Sequence, residues 1–402
     1  MTERIPIYLI FDEESFELYE QIKVIDVKRK MQMYNEWSWI FQIIFLAFFF
    51  IIFFYNQRLQ LWMMQKQIER AMYELERMNN EGKEVLLKLV NERGKPKEDP
   101  RPMLNALLDF FTIMPVQLDP AGVINRLEHV LDIRKSRWEG HVTQLAPAAS
   151  RDEAANIEGT IEAASGINMI YKIVRHFLLL GKKTKSLILI MQLQMQLPLI
   201  MLLAKSFSKA LKAFNEGVPI GDGIGPFVTS ALVREYTKKT PPKITKEYVK
   251  DITLFELDIE GRHAFVIRAT GPGARIGKPG EAIKKVLDEK KGEIARLIMI
   301  DAGLKLEGEK TGTVIIGVGA VLGGPGVEKY KIEESAGVKY DLPMDGVVIE
   351  ESQEDALGPM KKDLVNAVPK AIEKIKIAIT TRTSEGDNIV IAGVGNCCGI
   401  GD

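Results

Sequence analysis

The 402-residue sequence has little cysteine, little histidine and no excess charge of either sign. Its two cysteines, Cys397 and Cys398, are neighbours, which disfavours a disulfide between them, so we expect no disulfide framework. A reducing compartment fits this cysteine usage. The 54 Lys and Arg balance 54 Asp and Glu, which argues against binding through a bulk positive field, and we expect no nucleic-acid partner. Hydrophobic residues form 46% of the chain, which excludes general disorder.

One long uncharged run interrupts this average composition. It extends over 21 residues, from Trp37 to Gln57, and its centre reads IIFLAFFFIIFF. At about 1.5 Å per residue a helix of this length spans the roughly 30 Å hydrocarbon core of a bilayer. The run starts too late and lacks a small-residue cleavage site, so it is not typical of a signal peptide. We predict a single-pass transmembrane helix over 37–57 in the cell membrane, with the C-terminal body in the cytoplasm because its thiols are free.

A second apolar segment runs from Ser186 to Ala204 and is long enough to cross a bilayer. Three glutamines and Pro198 interrupt it, and three lysines precede it. Amides in hydrocarbon need partners. A buried helix of a soluble bundle, a membrane-surface helix and a second span therefore all remain open.

The segment 58–93 after the first run has heptad spacing. Its apolar positions fall on alternating three- and four-residue steps, broken only by Gly82 at one seam position, which is typical of a coiled-coil seam. The seam residues are Leu61, Met64, Ile68, Ala71, Leu75, Met78, Val85 and Leu89. Either a dimer zipper or an amphipathic stalk helix packed on its own domain fits. The 61–89 stalk is thus a candidate contact with a second copy or another protein.

The remaining chain divides by texture into two domains after an N-terminal segment of residues 1–36. Residues 103–216 are mostly helical and show no catalytic constellation. Residues 217–402 alternate short β-rich runs with helical runs, and glycine is concentrated just after the strands. This pattern predicts an α/β domain with a mixed sheet and helices on both faces.

Four glycine loops stand out in the α/β domain. The loop 271–278 resembles a phosphate loop, but its spacing is wrong and Pro279 occupies the Ser/Thr position that would bind magnesium. The loop 317–326 lacks the dinucleotide-binding spacing. Loops 221–226 and 393–396 open a helix and end a strand. Such loops line ligand crevices at the carboxyl ends of strands.

Two carboxylates accompany these loops. Asp222 lies at a helix entrance, and Asp301 ends the strand RLIMIDA. If both reach one crevice, they could bind a divalent metal, which is the one cofactor that the residues suggest, or do acid/base work. The predicted ligand-binding residues are Gly221, Asp222, Gly225, Thr270, Gly271, Gly273, Asp301, Gly393, Gly395 and Asn396.

The order of these motifs is similar to that of the hydrogenase maturation endopeptidases. GVGN after a strand, the D-G-I-G-P helix entrance, a strand ending I-D-A and a following T-G-T strand carry the resemblance. It implies a phosphorylase/hydrolase-like domain, circularly permuted because GVGN comes last, with Asp222 and Asp301 as metal ligands. The third ligand of that family is a histidine. No histidine follows His263 here.

The whole layout, with an N-terminal anchor, a helical middle and a glycine-rich α/β end with GVGN, also resembles an archaeal membrane-protein family known as domain of unknown function 1512. This resemblance implies an archaeal origin. It implies no activity.

Three functions fit the sequence. The first is a membrane-anchored protein whose cytoplasmic α/β domain binds a small ligand, a peptide end or a metal in a glycine-lined crevice. The second is a metal-dependent peptidase related to the hydrogenase maturation endopeptidases. The third is a non-enzymatic scaffold or membrane-protein biogenesis factor that contacts its partners through the stalk. The sequence does not decide whether the protein is an enzyme.

Overall fold

A computed structural model describes residues 13–116, 122–237 and 241–401. The predictions for residues 1–12 of the N-terminal segment lie outside the described residues. The chain divides into two compact units, Met1–Gln67 and Ile68–Asp402.

Helix α1 extends from Glu13 to Leu89 and contributes to both units. In the first unit, the described apolar side chains of the uncharged run are largely exposed, for example Phe45 at 69% and Phe49 at 61%. In the second unit, Ile68 and Leu75 are completely buried. The helix ends in a π-helical turn, Val90–Gly94.

The predicted coiled-coil seam is therefore buried within the chain itself from Ile68 onward. Asn79 of α1 donates a hydrogen bond to Asn168 at 3.3 Å, and Leu211 lies beside Gly82. Of the two alternatives, this burial favours the amphipathic helix packed on its own domain. The seam of the second unit is not available for a dimer zipper.

Four more helices complete the helical domain. They are α2 Arg101–Leu108, α3 Val123–Leu145, α4 Arg151–Thr184 and α5 Leu187–Glu216. A capping box starts α4, in which Ser150 and Glu153 satisfy each other's backbone N–H groups. Small residues let α4 approach α5 closely, since a Cβ at Gly159 would lie 3.0 Å from the ring of Phe214.

The second apolar segment forms the N-terminal half of α5. Two helices among the described residues are long and apolar enough to cross a membrane, the part of α1 that starts at Trp39 and α5. In the most apolar window of α5, 22% of the residues are buried inside the protein, against none in that of α1.

A seven-stranded mixed sheet forms the α/β domain. Its strands are β1 Lys243–Val249, β2 Ile252–Ile259, β3 Arg262–Ala269, β4 Arg296–Leu304, β5 Val314–Val318, β6 Met344–Glu351 and β7 Asn388–Gly393. The spatial order is β1-β2-β3-β7-β4-β6-β5. The four strands β3, β7, β4 and β6 are parallel, and the remaining pairs are antiparallel. The last strand of the chain thus lies in the middle of the sheet.

Helices cover both faces of this sheet, as the alternation of β-rich and helical runs predicts. The helices are α6 Ile224–Thr237, α7 Pro279–Glu289, α8 Val327–Ile332, α9 Gln353–Leu357 and α10 Lys362–Arg382. One core packs α6 and α10 on one face, and a second core packs α7 and α8 on the other. Both faces of the central strands are apolar because both are covered, for example Ile298 and Met299 on β4.

Candidate functional site

Two adjacent parallel strands bring the predicted site residues to one edge of the sheet. Ile300 of β4 is paired with Gly393, the last residue of β7. Asp301 therefore lies beside the loop that follows β7. The N–H of Val394 in that loop donates to the carbonyl of Ile300 at 2.8 Å. This is the crevice edge at which open α/β sheets bind ligands.

The turn before α6 packs onto the same edge. It is a 3-10 turn over Gly221–Gly223, and the backbone N–H of Asn396 donates to Oδ2 of Asp222 at 2.9 Å. The two loops GDGIGP and GVGN, 174 residues apart in the sequence, are thus directly bonded.

Glycines make this close packing possible. A Cβ at Gly225 would lie 2.3 Å from the carbonyl oxygen of Val394 and 2.5 Å from that of Ile300. Gly395 has a φ of +132°, and a Cβ there would lie 1.9 Å from the carbonyl oxygen of Asp222. Any side chain at either position would push the two loops apart.

The carboxylates of Asp222 and Asp301 lie in a low-dielectric environment. Burial, with the nearby charge of Asp222 as the second cause, raises the pKa of Asp301 to about 8. The N–H groups of Ala302 and Gly323 donate to Asp301 and oppose this rise. Burial also raises the pKa of Asp222, against the N–H of Asn396. Two neighbouring carboxylates that resist ionisation favour a shared cation or a retained proton.

A third carboxylate, Glu351, lies behind this pair. It ends β6, the parallel neighbour of β4, and is 1% exposed. Neither of its carboxylate oxygens has a hydrogen-bond partner in the described part of the chain. Burial, followed by the charges of Asp222, Asp355 and Asp301, raises its pKa to about 8. A signal was present in the sequence, because the apolar strand GVVIEE ends in carboxylates as β4 does.

Asp222 and Asp301 open into a cavity of about 750 Å³. On the α/β side, Gly395, Asn396 and the loop Gly323–Gly326 also line it. The opposite wall comes from α3 and α4 of the helical domain. The main residues of that wall are Arg134, Lys135, Trp138, Arg151, Ala155, Glu158 and Glu162. Sequence reasoning missed this wall, because nothing in a helical pattern shows which face meets a distant domain.

Ion pairs join the two sides of the cavity. Asp251, in the turn between β1 and β2, accepts from Lys135 of α3 at 2.6 Å and from Arg151 of α4 at 2.9 Å. Arg275 donates to Asp152 at 2.7 Å. These pairs connect the helical domain to the α/β domain beside the carboxylates.

Most charges around the cavity neutralise one another in this way, but three carboxylates do not. In the described chain Glu158, Asp222 and Asp301 form no ion pair with a basic side chain. Burial and the charge of Glu162 raise the pKa of Glu158 to about 7. The groups without a charged partner in the cavity are therefore carboxylates, which favours a cation as part of whatever binds there.

The structure brings together only some of the predicted ligand-binding residues. Asp222, Asp301, Gly395 and Asn396 line the cavity. The other six are in the packing around it and do not line it. These six are Gly221, Gly225, Thr270, Gly271, Gly273 and Gly393.

Each of these six has a close contact that explains its residue type. A Cβ at Gly221 would meet Oε2 of Glu351. A Cβ at Gly271 would meet the carbonyl oxygen of Ile400, and a Cβ at Gly393 would meet the hydroxyl of Thr229. The Thr270 hydroxyl shares a 2.9 Å hydrogen bond with that of Thr253. A Cβ at Gly273 would lie 3.0 Å from the side chains of Arg275 and Asp152. The loops 221–226, 271–278 and 393–396 are therefore built largely for close packing, whereas a Cβ at any glycine of the loop 317–326 would meet nothing within 4 Å.

The neighbouring cysteines lie in this packed layer. Both are buried and unbridged. The Cys397 thiol donates to the carbonyl of Ala269 at 3.0 Å. Burial and the nearby Cys397 raise the pKa of Cys398 to about 12. The Cys398 thiol is therefore not in the ionised form that nucleophilic chemistry requires.

The oxygen ligands around the cavity suit a hard cation, of whose coordination sites the protein would fill only some. Among the described residues no group of three or more His, Cys, Asp or Glu side chains is arranged to hold a metal ion. Asp222 and Asp301 alone provide two carboxylates. Magnesium is commonly held by one or two carboxylates, with water and ligand oxygens completing its octahedron.

Comparison with known families covers nearly the whole chain. Residues 42–217 match the family model described as protein of unknown function (DUF1512), N-terminal domain. Residues 220–401 match that described as domain of unknown function (DUF1512), C-terminal. No curated protein matches the sequence. The boundary between the two matches falls at the turn before α6, so the cavity is lined by both family domains.

Proposed function

The chain belongs to the domain of unknown function 1512 family, and from its cavity we propose that it binds a small ligand through a divalent cation held by Asp222 and Asp301. One observation carries this proposal: the buried Asp301 and the half-buried Asp222, neither of them paired with a basic side chain of the described residues, line the same cavity. The cation neutralises their repulsion, which the surrounding protein does not.

The rest of the cavity supports a ligand that bears oxygen atoms. The loop Gly323–Gly326 is largely exposed beside Asp301, and a Cβ at Gly323, Gly324 or Gly326 would meet nothing within 4 Å. The backbone N–H groups of Gly324 and Gly326 can face a phosphate or carboxylate that also completes the coordination of the cation, while that of Gly323 donates to Asp301. At about 750 Å³ the space is in the usual range for small-molecule sites.

Thermal unfolding of the detergent-purified full chain, with Mg²⁺ or Mn²⁺ titrated after treatment with a chelator, tests this proposal. We expect the cation to raise the Tm of the wild type, because a ligand that binds only the folded state stabilises it. The rise should disappear in Asp222→Asn and in Asp301→Asn. It should persist in the matched control Asp258→Asn, whose side chain is 83% exposed outside the cavity. Equal shifts in all four proteins, or none in the wild type, would contradict the proposal.

A peptidase is the second candidate, and one observation favours it. The GVGN loop and the GDGIGP turn are bonded through Asn396 and Asp222, although they are at opposite ends of the domain sequence. This juxtaposition is what a circularly permuted relative of the hydrogenase maturation endopeptidases requires. Cleavage of an unfolded protein such as casein by the Mn²⁺-loaded full chain, lost in Asp222→Asn, would support this candidate. A wild type that leaves casein intact at every cation concentration argues against it.

We also propose that the run 37–57 anchors the chain in the cell membrane as a single pass, with the later domains in the cytoplasm. The exposed apolar side chains of α1 and its candidate span support this anchor. The unbridged cysteines support the cytoplasmic location of the later domains. Carbonate extraction and protease protection of the full chain in membranes test both parts. Release by carbonate would exclude the anchor, and protection of the C-terminal domain in right-side-out vesicles is the expected result.

The scaffold alternative depends on the part of the stalk that is not packed against the helical domain. Leu61 and Met64 precede the second unit, while the later residues of the 61–89 seam are occupied within the chain. A homo-oligomer or protein partner of the 61–89 stalk would contact Leu61, Met64 or the exposed side of α1.

A further inference from the structure

Helix α5 presents an apolar face to the outside of the helical domain. Its residues Ile188, Met195 and Leu199 are 63%, 74% and 66% exposed. With Met191 and Leu202 they follow steps of three and four residues, so they form one stripe along the helix. An outward face of a soluble helix is normally polar, and a contiguous apolar one marks an interaction surface.

The opposite face of the same helix is occupied by the protein. Ile190, Leu193, Leu197 and Met201 are buried, and Gly181 of α4 lies directly against Ile190. Gln192, Gln194 and Gln196 lie between the two stripes. A helix that gives one face to its own domain and flanks it with amides is not suited to stand alone in hydrocarbon.

The hairpin of α4 and α5 is strongly basic. From Ala163 to Asn215 it contains no Asp or Glu and eight Lys and Arg, in a chain whose net charge is zero. Lys183 and Lys185, at the turn that leads into the apolar stripe, are exposed. In the described chain neither forms an ion pair with a carboxylate. Exposed lysines beside an apolar stripe are the combination that binds anionic lipid headgroups.

The turn between α4 and α5 is bonded to the part of α1 that belongs to the second unit. Lys182 at the turn forms a salt bridge with Glu69 at 2.6 Å. Glu69 follows Gln57, the last residue of the uncharged run, by only twelve residues.

We propose that the outer face of α5, with Lys183 and Lys185, lies on the surface of a bilayer that contains anionic lipids. The apolar stripe enters the boundary between headgroups and acyl chains, and the two lysines contact the headgroups. The helical domain is then fixed against the membrane surface. This inference does not depend on the cavity or on its cation.

Site-directed spin labelling of the full chain in nanodiscs tests the inference. A nitroxide is placed at residue 195 in Met195→Cys, and the native cysteines are buried, so labelling of the parent protein measures the background. The readout is the ratio of collision with oxygen to collision with a water-soluble nickel chelate, in bilayers of phosphatidylcholine with or without phosphatidylserine. Tyr73→Cys on α1 is the matched exposed control. Only variants that unfold at the parent temperature are interpreted.

We expect lipid-like ratios at residue 195 in anionic bilayers and water-like ratios at residue 73. Lys183→Glu with Lys185→Glu should shift residue 195 towards water, by roughly fivefold in occupancy per lysine, the factor that corresponds to about 1 kcal/mol.

Three results would overturn the inference. One is a water-like residue 195 in both bilayers. Another is equal deep insertion at residues 192 and 195, which indicates a second span. The third is spin–spin coupling between copies, which indicates that a second chain covers the stripe.

Discussion

The carboxylates of Asp222 and Asp301 dominate the energetics of the cavity at the scale of single residues. Each is desolvated, and the charge of Asp222 disfavours that of Asp301. Without a cation the pair retains a proton near neutral pH. With a cation both can ionise, so cation binding should release protons and strengthen as the pH rises towards 8.

Replacement of Asp301 with Asn tests this desolvation. The pKa of Asp301 is raised to about 8 in the folded protein, whereas the unfolded chain ionises near 4. The unfolded state therefore binds fewer protons between these values, and this group lowers stability as the pH rises. With a chelator present, urea unfolding should show Asp301→Asn equal to wild type near pH 4 and more stable by roughly 1–3 kcal/mol near pH 8. A constant difference at all pH values would contradict this account.

The glycine at position 225 gives a second test. Gly225→Ala should lower the free energy of unfolding by about 1–3 kcal/mol or more, because the new Cβ meets two carbonyl oxygens within 2.5 Å. Gly317→Ala on the exposed strand β5 is the control, since its Cβ meets nothing within 4 Å and should leave stability nearly unchanged. Equal effects in urea titrations would show that the two loops can separate without cost.

Sequence patterns identified some of these residues and not others. Asp301 could be predicted from the sequence, because a carboxylate at the end of an apolar strand lies at the crevice edge of the sheet. Glu351 also ends an apolar strand, but its proximity to Asp301 follows only from the pairing of β6 with β4. The glycines marked the right loops, but their role depends on distances between backbones that are remote in sequence.

At the scale of elements, α1 illustrates how one pattern can serve two environments. The heptad spacing is broken only by Gly82, but from Ile68 its apolar side contacts α4 and α5 of the same chain. Spacing alone cannot distinguish a partner helix in another copy from one in the same chain, because both require the same buried stripe.

This intrachain packing predicts the effect of Leu75→Ala. Leu75 is completely buried, so its truncation should cost about 2–5 kcal/mol of unfolding free energy without changing the mass of the protein–detergent complex. Tyr73→Ala on the same helix, at a site 76% exposed, should be nearly neutral. Light scattering and thermal unfolding measure both quantities. Dissociation of an oligomer by Leu75→Ala would restore the zipper interpretation.

The sheet was largely predictable because its strands are short apolar runs bounded by glycine. Six of the seven correspond to such runs. Strand β1, KITKEYV, was missed because it lies at the sheet edge, where most of its side chains are polar and exposed. The central position of β7 was not predicted, since the chain order places this strand last.

At the scale of the whole molecule, the cavity depends on how the helical domain packs on the α/β domain within the second unit. Asp251 is the centre of that contact, with Lys135, Arg151 and Arg275 around it. Burial works against its ionisation, but the hydrogen bond and charge of Lys135 and the charge of Arg275 hold the pKa of Asp251 below its usual range.

Asp251→Asn should therefore weaken this contact. We expect a loss of about 3 kcal/mol of unfolding free energy at pH 7, because Arg275 keeps a buried charge with one partner fewer. The pKa of Asp251 is depressed in the folded state, so its contribution is present above pH 4 and is lost as the pH falls through the folded value. The difference from wild type in urea titrations should shrink in that direction. Asp258→Asn is the exposed control, and an equal loss there would contradict the role of Asp251.

No sequence pattern could have located this contact. Ion pairs such as Lys135 with Asp251 join residues 116 positions apart, and each partner alone is an ordinary charged residue of a helix or turn. The sequence predicts two domains, but not the space that they enclose.

The most direct test of the cation proposal is an anomalous-scattering map of the full chain crystallised with Mn²⁺. We expect one strong peak per chain, in the cavity and within coordination distance of Asp222 and Asp301, and no peak in crystals of Asp301→Asn. A wild-type map without density at these carboxylates, at a Mn²⁺ concentration that saturates exposed sites, would contradict it.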